Sequence, residues 1–289
     1  MVNRIVLNET SYHGAGAIQE IATEVTKRGF KKAFVCSDPD LVKFGVTKKV
    51  TDVLDNAGLA YEVYSQIKPN PTIENVQTGV AAFKAAGASH IFKFWVVDDD
   101  SNSFCCIHRR STTKAAWEMT DMFHIKAIEL ISDSLRGAVE NTPEGREGMA
   151  MGQYIAGMGF SNVGLGIVHS MAHALGTVYD TPHGVANAIL LPTVMEYNAD
   201  ATGDKYKYIA KAMGVEGVED MTQEEYRKAA VDAVKKLSAD VGIPADLKEI
   251  VKEEDLQFLA ESAYADACAP GNPKDASVED IIGLYKSLL

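Results

Sequence analysis

The sequence predicts an α/β plus all-α fold class: a truncated, Rossmann-like domain with a parallel sheet, followed by an all-helical C-terminal domain. Two observations predict it. Strand and helix patterns alternate through the first third of the chain, and from Thr113 onward nearly every apolar pattern has helical spacing. Alternation at this spacing favours parallel strands, because a connecting helix returns the chain to the same end of the sheet.

The first third carries the elements of the predicted sheet domain. Strands are predicted at residues 4–7, 32–36, 61–64 and 90–97. Helices are predicted at residues 17–27, 41–56 and 73–86, and the first two end near Gly29 and Gly58. In a parallel sheet of this kind, ligands bind at the carboxyl ends of the strands.

Asp38 and Asn70 follow two of these strands and are therefore candidate ligand-binding residues. Each also has an ordinary structural role. Asp38 precedes a helix and Asn70 precedes a proline, and both residue types are common turn formers. The sequence alone leaves both interpretations open.

The rest of the chain predicts helices separated by short loops. Thr222-Gln223-Glu224-Glu225 has the pattern of a capping box, and Gly242 closes the helix that follows it. The charged residues between apolar positions indicate solvated outer faces. Helices are predicted at residues 115–135, 145–158, 167–178, 185–197, 206–213, 224–241, 255–263 and 278–288.

Three of the seven histidines lie within fifteen residues of one another. His169 and His173 are four apart, so they share one helix face, which we expect to be buried among small apolar residues. A turn at 180–182 can fold His183 back toward them. Three converging imidazoles suit a divalent transition metal. The spacing is not that of a zinc protease, because Ser170 stands where its glutamate would be. Buried histidines satisfied within the core are the alternative.

Composition excludes several classes of protein. The net charge of −12 offers no basic surface for nucleic acid. No apolar run is long enough for a membrane helix, and the N-terminal residues do not predict a signal peptide. Four cysteines in 289 residues indicate no disulfide framework and favour a cytoplasmic protein.

Several motifs together resemble one family. They are NRIVLNET at 3–10, PNPT at 69–72, KAAWEMTD at 114–121, GMGFSNVGLGIVHSMAHALG at 157–176, DTPHGVANAILLP at 180–192 and CAPGNPK at 268–274. With these motifs the chain resembles the iron-dependent (group III) alcohol dehydrogenases. The resemblance implies a partial nucleotide-binding domain at 1–97, a non-family linker segment at 98–112 and a helical metal-binding domain at 113–289.

The resemblance also implies an activity and a homodimer. The family interconverts short aldehydes and alcohols with NAD(H) and Fe²⁺, so lactaldehyde and 1,2-propanediol are the first expected substrates, with Zn²⁺ as the alternative metal. It implies metal ligation by His169 and His183, proton transfer by His173, substrate contact by Phe160, and cofactor contact by Asp38 and Asn70.

One departure from the family affects the segment that carries cofactor-binding and metal-binding residues. Between Ala88 and Thr113 the chain is much shorter than the family pattern, which there supplies a glycine-rich turn for the cofactor's pyrophosphate and two further metal ligands, an Asp and a His. Impaired binding of both Fe²⁺ and NAD(H) follows, and a catalytically silent remnant is the alternative function. Within the segment, Cys105 and Cys106 with His108 form either a soft-metal site or an exposed patch.

Overall fold

The computed structural model describes residues 4–7, 9–68, 71–88, 90–93 and 112–289. The chain divides into two compact units. One spans Thr10–Val97, and the other combines Met1–Glu9 with Asp98–Leu289. We refer to them as the sheet unit and the helical unit and describe each by itself.

The sheet unit is built on three parallel strands in the order β2-β1-β3. They are β1 (Lys32–Cys36), β2 (Ala60–Tyr64) and β3 (His90–Lys93). The central strand, β1, has the sequence KAFVC, and its three middle residues are buried. A short apolar run of this kind suits a strand with neighbours on both sides. The predicted strand 90–97 begins as expected, while residues 94–97 lie outside the described residues.

Helices connect and cover these strands. They are α1 (Glu20–Lys27), preceded by a 3₁₀ turn at Ala17–Gln19, then α2 (Pro39–Lys43), α3 (Val46–Asn56) and α4 (Ile73–Ala86). The single helix predicted at 41–56 was wrong in one respect: it is interrupted at Gly45, whose φ of 74° is left-handed. A glycine adopts this conformation readily, so the chain changes direction between α2 and α3.

The strand predicted at residues 4–7 was also wrong. Within the described residues the backbone of Val6 pairs with a side chain and not with a strand. Its N–H donates to Asn162 Oδ1 at 2.7 Å, and its carbonyl accepts from Asn162 Nδ2 at 3.0 Å. The side-chain amide satisfies both backbone groups, which removes the need for a neighbouring strand.

The helical unit follows the predicted pattern closely. The capping box of Thr222 and Glu225 is present, and α10 begins at the residue after Thr222. Short 3₁₀ turns lie at Ala199–Ala201, Val218–Asp220, Glu253–Asp255 and Ala269–Gly271. The α-helices are α5 (Glu118–Val139), α6 (Pro143–Phe160), α7 (Ile167–Tyr179), α8 (His183–Asn198), α9 (Lys205–Ala212), α10 (Gln223–Asp240), α11 (Leu256–Ala265) and α12 (Val278–Lys286).

Glycines allow α5 and α6 to pack closely. A Cβ at Gly145 would lie 2.3 Å from the backbone of Gly137 and Ala138, and one at Gly152 would lie 2.7 Å from Ile131 Cγ1. Gly145, Gly148, Gly152 and Gly159 share this face of α6, at intervals of three, four and seven residues that return to one helix side. Close contact between α5 and α6 therefore depends on glycine, which has no side chain, at these positions.

The predicted fold class is confirmed: a small parallel α/β unit and an all-helical unit. The helical core includes large buried side chains such as Tyr206, Tyr285 and Ile128. In the part of the chain that the structure describes, no helix is long and apolar enough to cross a bilayer. The domain limits at 97 and 112 stay predictions.

Candidate metal and proton-transfer site

The α7 helix carries two of the three clustered histidines. Its residues are mostly small and apolar, and most of its first turns are buried. His169 is 3% exposed, as the sequence predicts, but the side chain of His173 is 42% exposed. The expectation that both histidines lie on one buried face was therefore wrong for His173. This residue lies one helical turn beyond His169, where the helix face is open to solvent.

The turn after α7 brings the third histidine to the other two. Asp180 ends the helix with a left-handed φ of 52°, and α8 begins at His183 after Pro182. The ring centroid of His183 lies 5.4 Å from that of His169 and 5.3 Å from that of His173. The His169 and His173 centroids are 6.2 Å apart. The three imidazoles therefore share one small region.

Asn187 holds His183 from the next turn of α8. The buried Asn187 side chain donates from Nδ2 to the carbonyl of His183 at 2.8 Å and lies 3.1 Å from its Nε2. An amide nitrogen can only donate, so Nε2 accepts this bond in the neutral ring. Metal ligation through Nε2 would require the exchange of this hydrogen bond.

Asp266 is a site residue that the sequence analysis missed. Its Oδ2 lies 2.9 Å from His173 Nδ1, and its Oδ1 accepts from the Cys268 N–H at 2.7 Å. Partial burial opposes ionisation of Asp266, but the bonds from Cys268 and His173 outweigh it, and its pKa lies below the ordinary value. A carboxylate only accepts, so Nδ1 of His173 carries a proton, and in the neutral form of the ring Nε2 bears the lone pair.

The loop that carries Asp266 is docked firmly in the helical unit. A Cβ at Gly271 would lie 2.0 Å from the carbonyl oxygen of Leu165, just before α7. The side chains of the buried Asn272 and Asn198 exchange two hydrogen bonds, at 2.7 and 3.0 Å. The loop is therefore held beside the start of the histidine helix.

Asp38 lies in the sheet unit at the carboxyl end of β1. Its Oδ1 caps α2 by accepting from the Leu41 N–H at 2.8 Å, which is the structural role weighed from the sequence. It also lines a cavity of about 480 Å³ with Asp40, Lys68 and Glu74. Asn70, the second predicted cofactor residue, lies outside the described residues.

Phe160 is the last residue of α6 and packs, partly buried, against the helical core. Its predicted contact with substrate stays a prediction. The alternative soft-metal residues Cys105, Cys106 and His108 lie outside the described residues.

The donor set tests whether a divalent metal fits. His169 and His183 offer imidazole nitrogens, donors of the kind that Fe²⁺ and Zn²⁺ accept, and their ring centroids are 5.4 Å apart. Together they could supply two ligands, fewer than the three or four protein ligands of typical sites. The arrangement therefore fits half of a metal centre, with the His173 ring beside it.

The chain combines a parallel α/β unit with a helical unit in which three histidines converge. Comparison with known families assigns the class. Residues 8–92 match the iron-containing alcohol dehydrogenases, and residues 111–289 match the C-terminal domain of the Fe-containing alcohol dehydrogenase family. The chain belongs to the iron-containing alcohol dehydrogenase family.

Individual relatives support this family assignment. Lactaldehyde reductase of Escherichia coli K12 is 39% identical over 379 aligned positions that span 99% of each chain. The NAD-dependent methanol dehydrogenase of Bacillus methanolicus is 27% identical, over 96% of this chain and 97% of its own. A solved 1,3-propanediol oxidoreductase superposes with a TM-score of 0.93, at 25% identity over all of both chains.

The comparisons also show a departure from the alignment's full length. The alignment with lactaldehyde reductase spans 379 positions, while this chain has 289 residues, so about 90 positions have no residue here. The two family matches leave residues 93–110 unmatched. This is the same part of the chain in which the sequence analysis found a shortened, unfamiliar segment.

Proposed function

We propose that this chain is an oxidoreductase that interconverts lactaldehyde and 1,2-propanediol with NAD(H) and Fe²⁺. The observation that carries the proposal is the convergence of His169, His173 and His183 in a chain of this family. The identity of 39% to lactaldehyde reductase supports the choice of substrate among short aldehydes.

His169 and His183 are the residues that would hold the metal. His169 is fixed within the buried part of α7, and His183 is fixed by Asn187, so neither ring needs a large rearrangement to remain near the other. Fe²⁺ held there would supply polarisation of the aldehyde oxygen, and bound NADH would supply the hydride.

His173 would hold the proton that the product alcohol needs. Its Nδ1 is fixed by Asp266, and its Nε2 is left to exchange a proton with substrate or solvent. Exposure of this side chain gives the proton a route to water. The ring can therefore be reloaded after each aldehyde is reduced.

Asp38 would contact the cofactor through a ribose hydroxyl. One carboxylate oxygen caps α2, and the other can accept from a sugar. The cavity beside it is large enough for part of a dinucleotide, and Asp40 and Glu74 outnumber Lys68 on its wall. This charge suits hydroxyl donors better than a pyrophosphate.

Phe160, as a partly buried aromatic residue at the end of α6, would provide apolar contact for the short carbon chain of the substrate. By resemblance to the family, the protein would act as a homodimer. The small number of cysteines, four in 289 residues, supports a cytoplasmic location.

A second candidate is a catalytically silent remnant with impaired binding of metal and cofactor. About 90 aligned positions are missing, and the resemblance assigns to that stretch two metal ligands and the glycine-rich turn. Two imidazoles without a carboxylate would bind Fe²⁺ weakly, since each lost ligand removes a direct bond.

One assay separates the two candidates. Purified chain, loaded anaerobically with Fe²⁺, is given NADH and lactaldehyde, and NADH consumption is followed with and without a chelator. Metal-dependent consumption that continues for many turnovers is the result expected of the oxidoreductase. Absence of turnover, together with absence of NADH binding, would leave the silent remnant.

A further inference from the structure

A second group of metal-binding side chains lies beside the three histidines. One ligand atom from each of His173, Asp266 and Cys268 lies within 4.8 Å of the others. The group joins an imidazole, a carboxylate and a thiol on two segments that are distant in sequence, at the end of α11 and in the middle of α7.

We propose that His173, Asp266 and Cys268 form a binding site for Zn²⁺, separate from the His169 and His183 pair. Imidazole nitrogen, carboxylate oxygen and thiolate sulfur are the three protein donors that Zn²⁺ accepts, and a water completes a tetrahedral shell. The thiolate favours Zn²⁺ over harder cations such as Mg²⁺.

Charge favours this site over the two-histidine pair. A neutral imidazole, a carboxylate and a thiolate carry two negative charges, which balance the two positive charges of the ion. His169 and His183 carry none when neutral. In a partly buried position an uncompensated charge is costly, so the balanced site retains the ion more strongly.

Ion binding exchanges one hydrogen bond and releases one proton. The proton on His173 Nδ1, now shared with Asp266 Oδ2 at 2.9 Å, moves to Nε2, and Nδ1 becomes a ligand. The Cys268 thiol loses its proton to solvent and becomes the thiolate ligand. Exposure of His173 and partial exposure of the other two residues provide an entry path.

The donors are already held near one another. The Cys268 N–H is bonded to Asp266, and Ser170 Oγ lies 3.4 Å from the same carboxylate oxygen. The contact of Gly271 with Leu165 fixes the loop against the start of α7. Little ordering is therefore left for the ion to impose.

Zn²⁺ at this site would remove His173 from the proposed proton transfer. Zn²⁺ should therefore inhibit any Fe²⁺-dependent turnover, and Cys268→Ser should raise the Zn²⁺ concentration needed for inhibition. The site itself does not depend on turnover, so its test uses binding alone.

The test uses Co²⁺ as a spectroscopic substitute for Zn²⁺. A Cys36→Ser/Cys105→Ser/Cys106→Ser variant retains Cys268 as its single cysteine. We expect one equivalent of Co²⁺ to give a near-ultraviolet thiolate charge-transfer band that added Zn²⁺ removes. Adding Cys268→Ser should abolish the band, and Asp266→Asn should weaken Co²⁺ binding by at least about 10- to 100-fold. His13→Asn, a change at an exposed histidine of the sheet unit, is the control and should leave both the band and the Co²⁺ affinity unchanged.

Absence of the band in the single-cysteine variant, or full binding strength after Asp266→Asn, would overturn the proposal. If the single-cysteine variant does not fold, the unaltered chain and its Cys268→Ser variant are compared instead. The proposal then requires that Cys268→Ser lowers the charge-transfer band by the intensity of one thiolate per chain. Failure of Fe²⁺-dependent turnover would leave this result unaffected, so the two proposals fail separately.

Discussion

Replacing Gly145 with alanine is expected to lower the free energy of unfolding by about 3 kcal/mol or more. The new Cβ would lie 2.3 Å from the carbonyl carbon of Gly137 and the nitrogen of Ala138. Both are backbone atoms of α5, so no side-chain rotation can relieve the overlap. The two helices would have to separate, and buried apolar contacts of the helical core would be lost.

Gly157→Ala is the matched control, because Gly157 lies on the same helix and a Cβ there meets no atom within 4 Å. Alanine has the higher helix propensity, so this variant should be neutral or more stable by up to about 1 kcal/mol. Urea unfolding followed by circular dichroism measures both variants. Equal stabilities would show that the close approach of α5 and α6 does not contribute as described.

His173→Asn is expected to reduce kcat with lactaldehyde and NADH by about 10²- to 10⁴-fold, the usual contribution of a positioned acid or base. The asparagine side chain remains polar but cannot carry a titrating proton. KM for lactaldehyde should change little, because the exposed edge of the ring is assigned to the proton and not to substrate affinity.

His13→Asn is the control for that experiment, since His13 is an exposed residue of the sheet unit that contacts Ser11. Steady-state rates of both variants over a range of pH give the comparison. A kcat for His173→Asn within about twofold of the unaltered chain, at every pH, would assign the proton to another group and remove His173 from the mechanism.

Local signals in the sequence were sufficient for most of the helical unit. Capping residues such as Thr222 mark helix starts, and apolar spacing sets the buried face, so helix limits follow from neighbouring residues. The strand at residues 4–7 could not be judged in this way. A strand needs a partner, and the partner here is the side chain of Asn162, more than a hundred residues away.

The candidate site also has one part that local sequence signals predict and one part that they do not. The grouping of His169, His173 and His183 depends on one helix and one turn, which the spacing and the turn residues predict. Packing between α7 and the end of α11 brings Asp266 to His173, and no local sequence pattern predicts that contact. The only available signal was its position two residues before the CAPGNPK motif.

The glycine face of α6 was within reach of the sequence. Gly145, Gly148, Gly152 and Gly159 repeat at intervals that return to one helix side, which indicates close contact with another helix. The partner helix was not predictable, because glycine placement shows that a neighbour is close and not which neighbour it is.

The proposed function depends most on joint binding of one ion by His169 and His183. Fe²⁺ affinity measured anaerobically by calorimetry in a Cys268→Ser background, with His169→Ala, His183→Ala and both together, tests this most directly. Each single change should weaken binding by at least about 100-fold, and the double change should add little, because either loss already breaks the shared site. Affinities that stay unchanged, or costs that simply multiply, would contradict a shared ion.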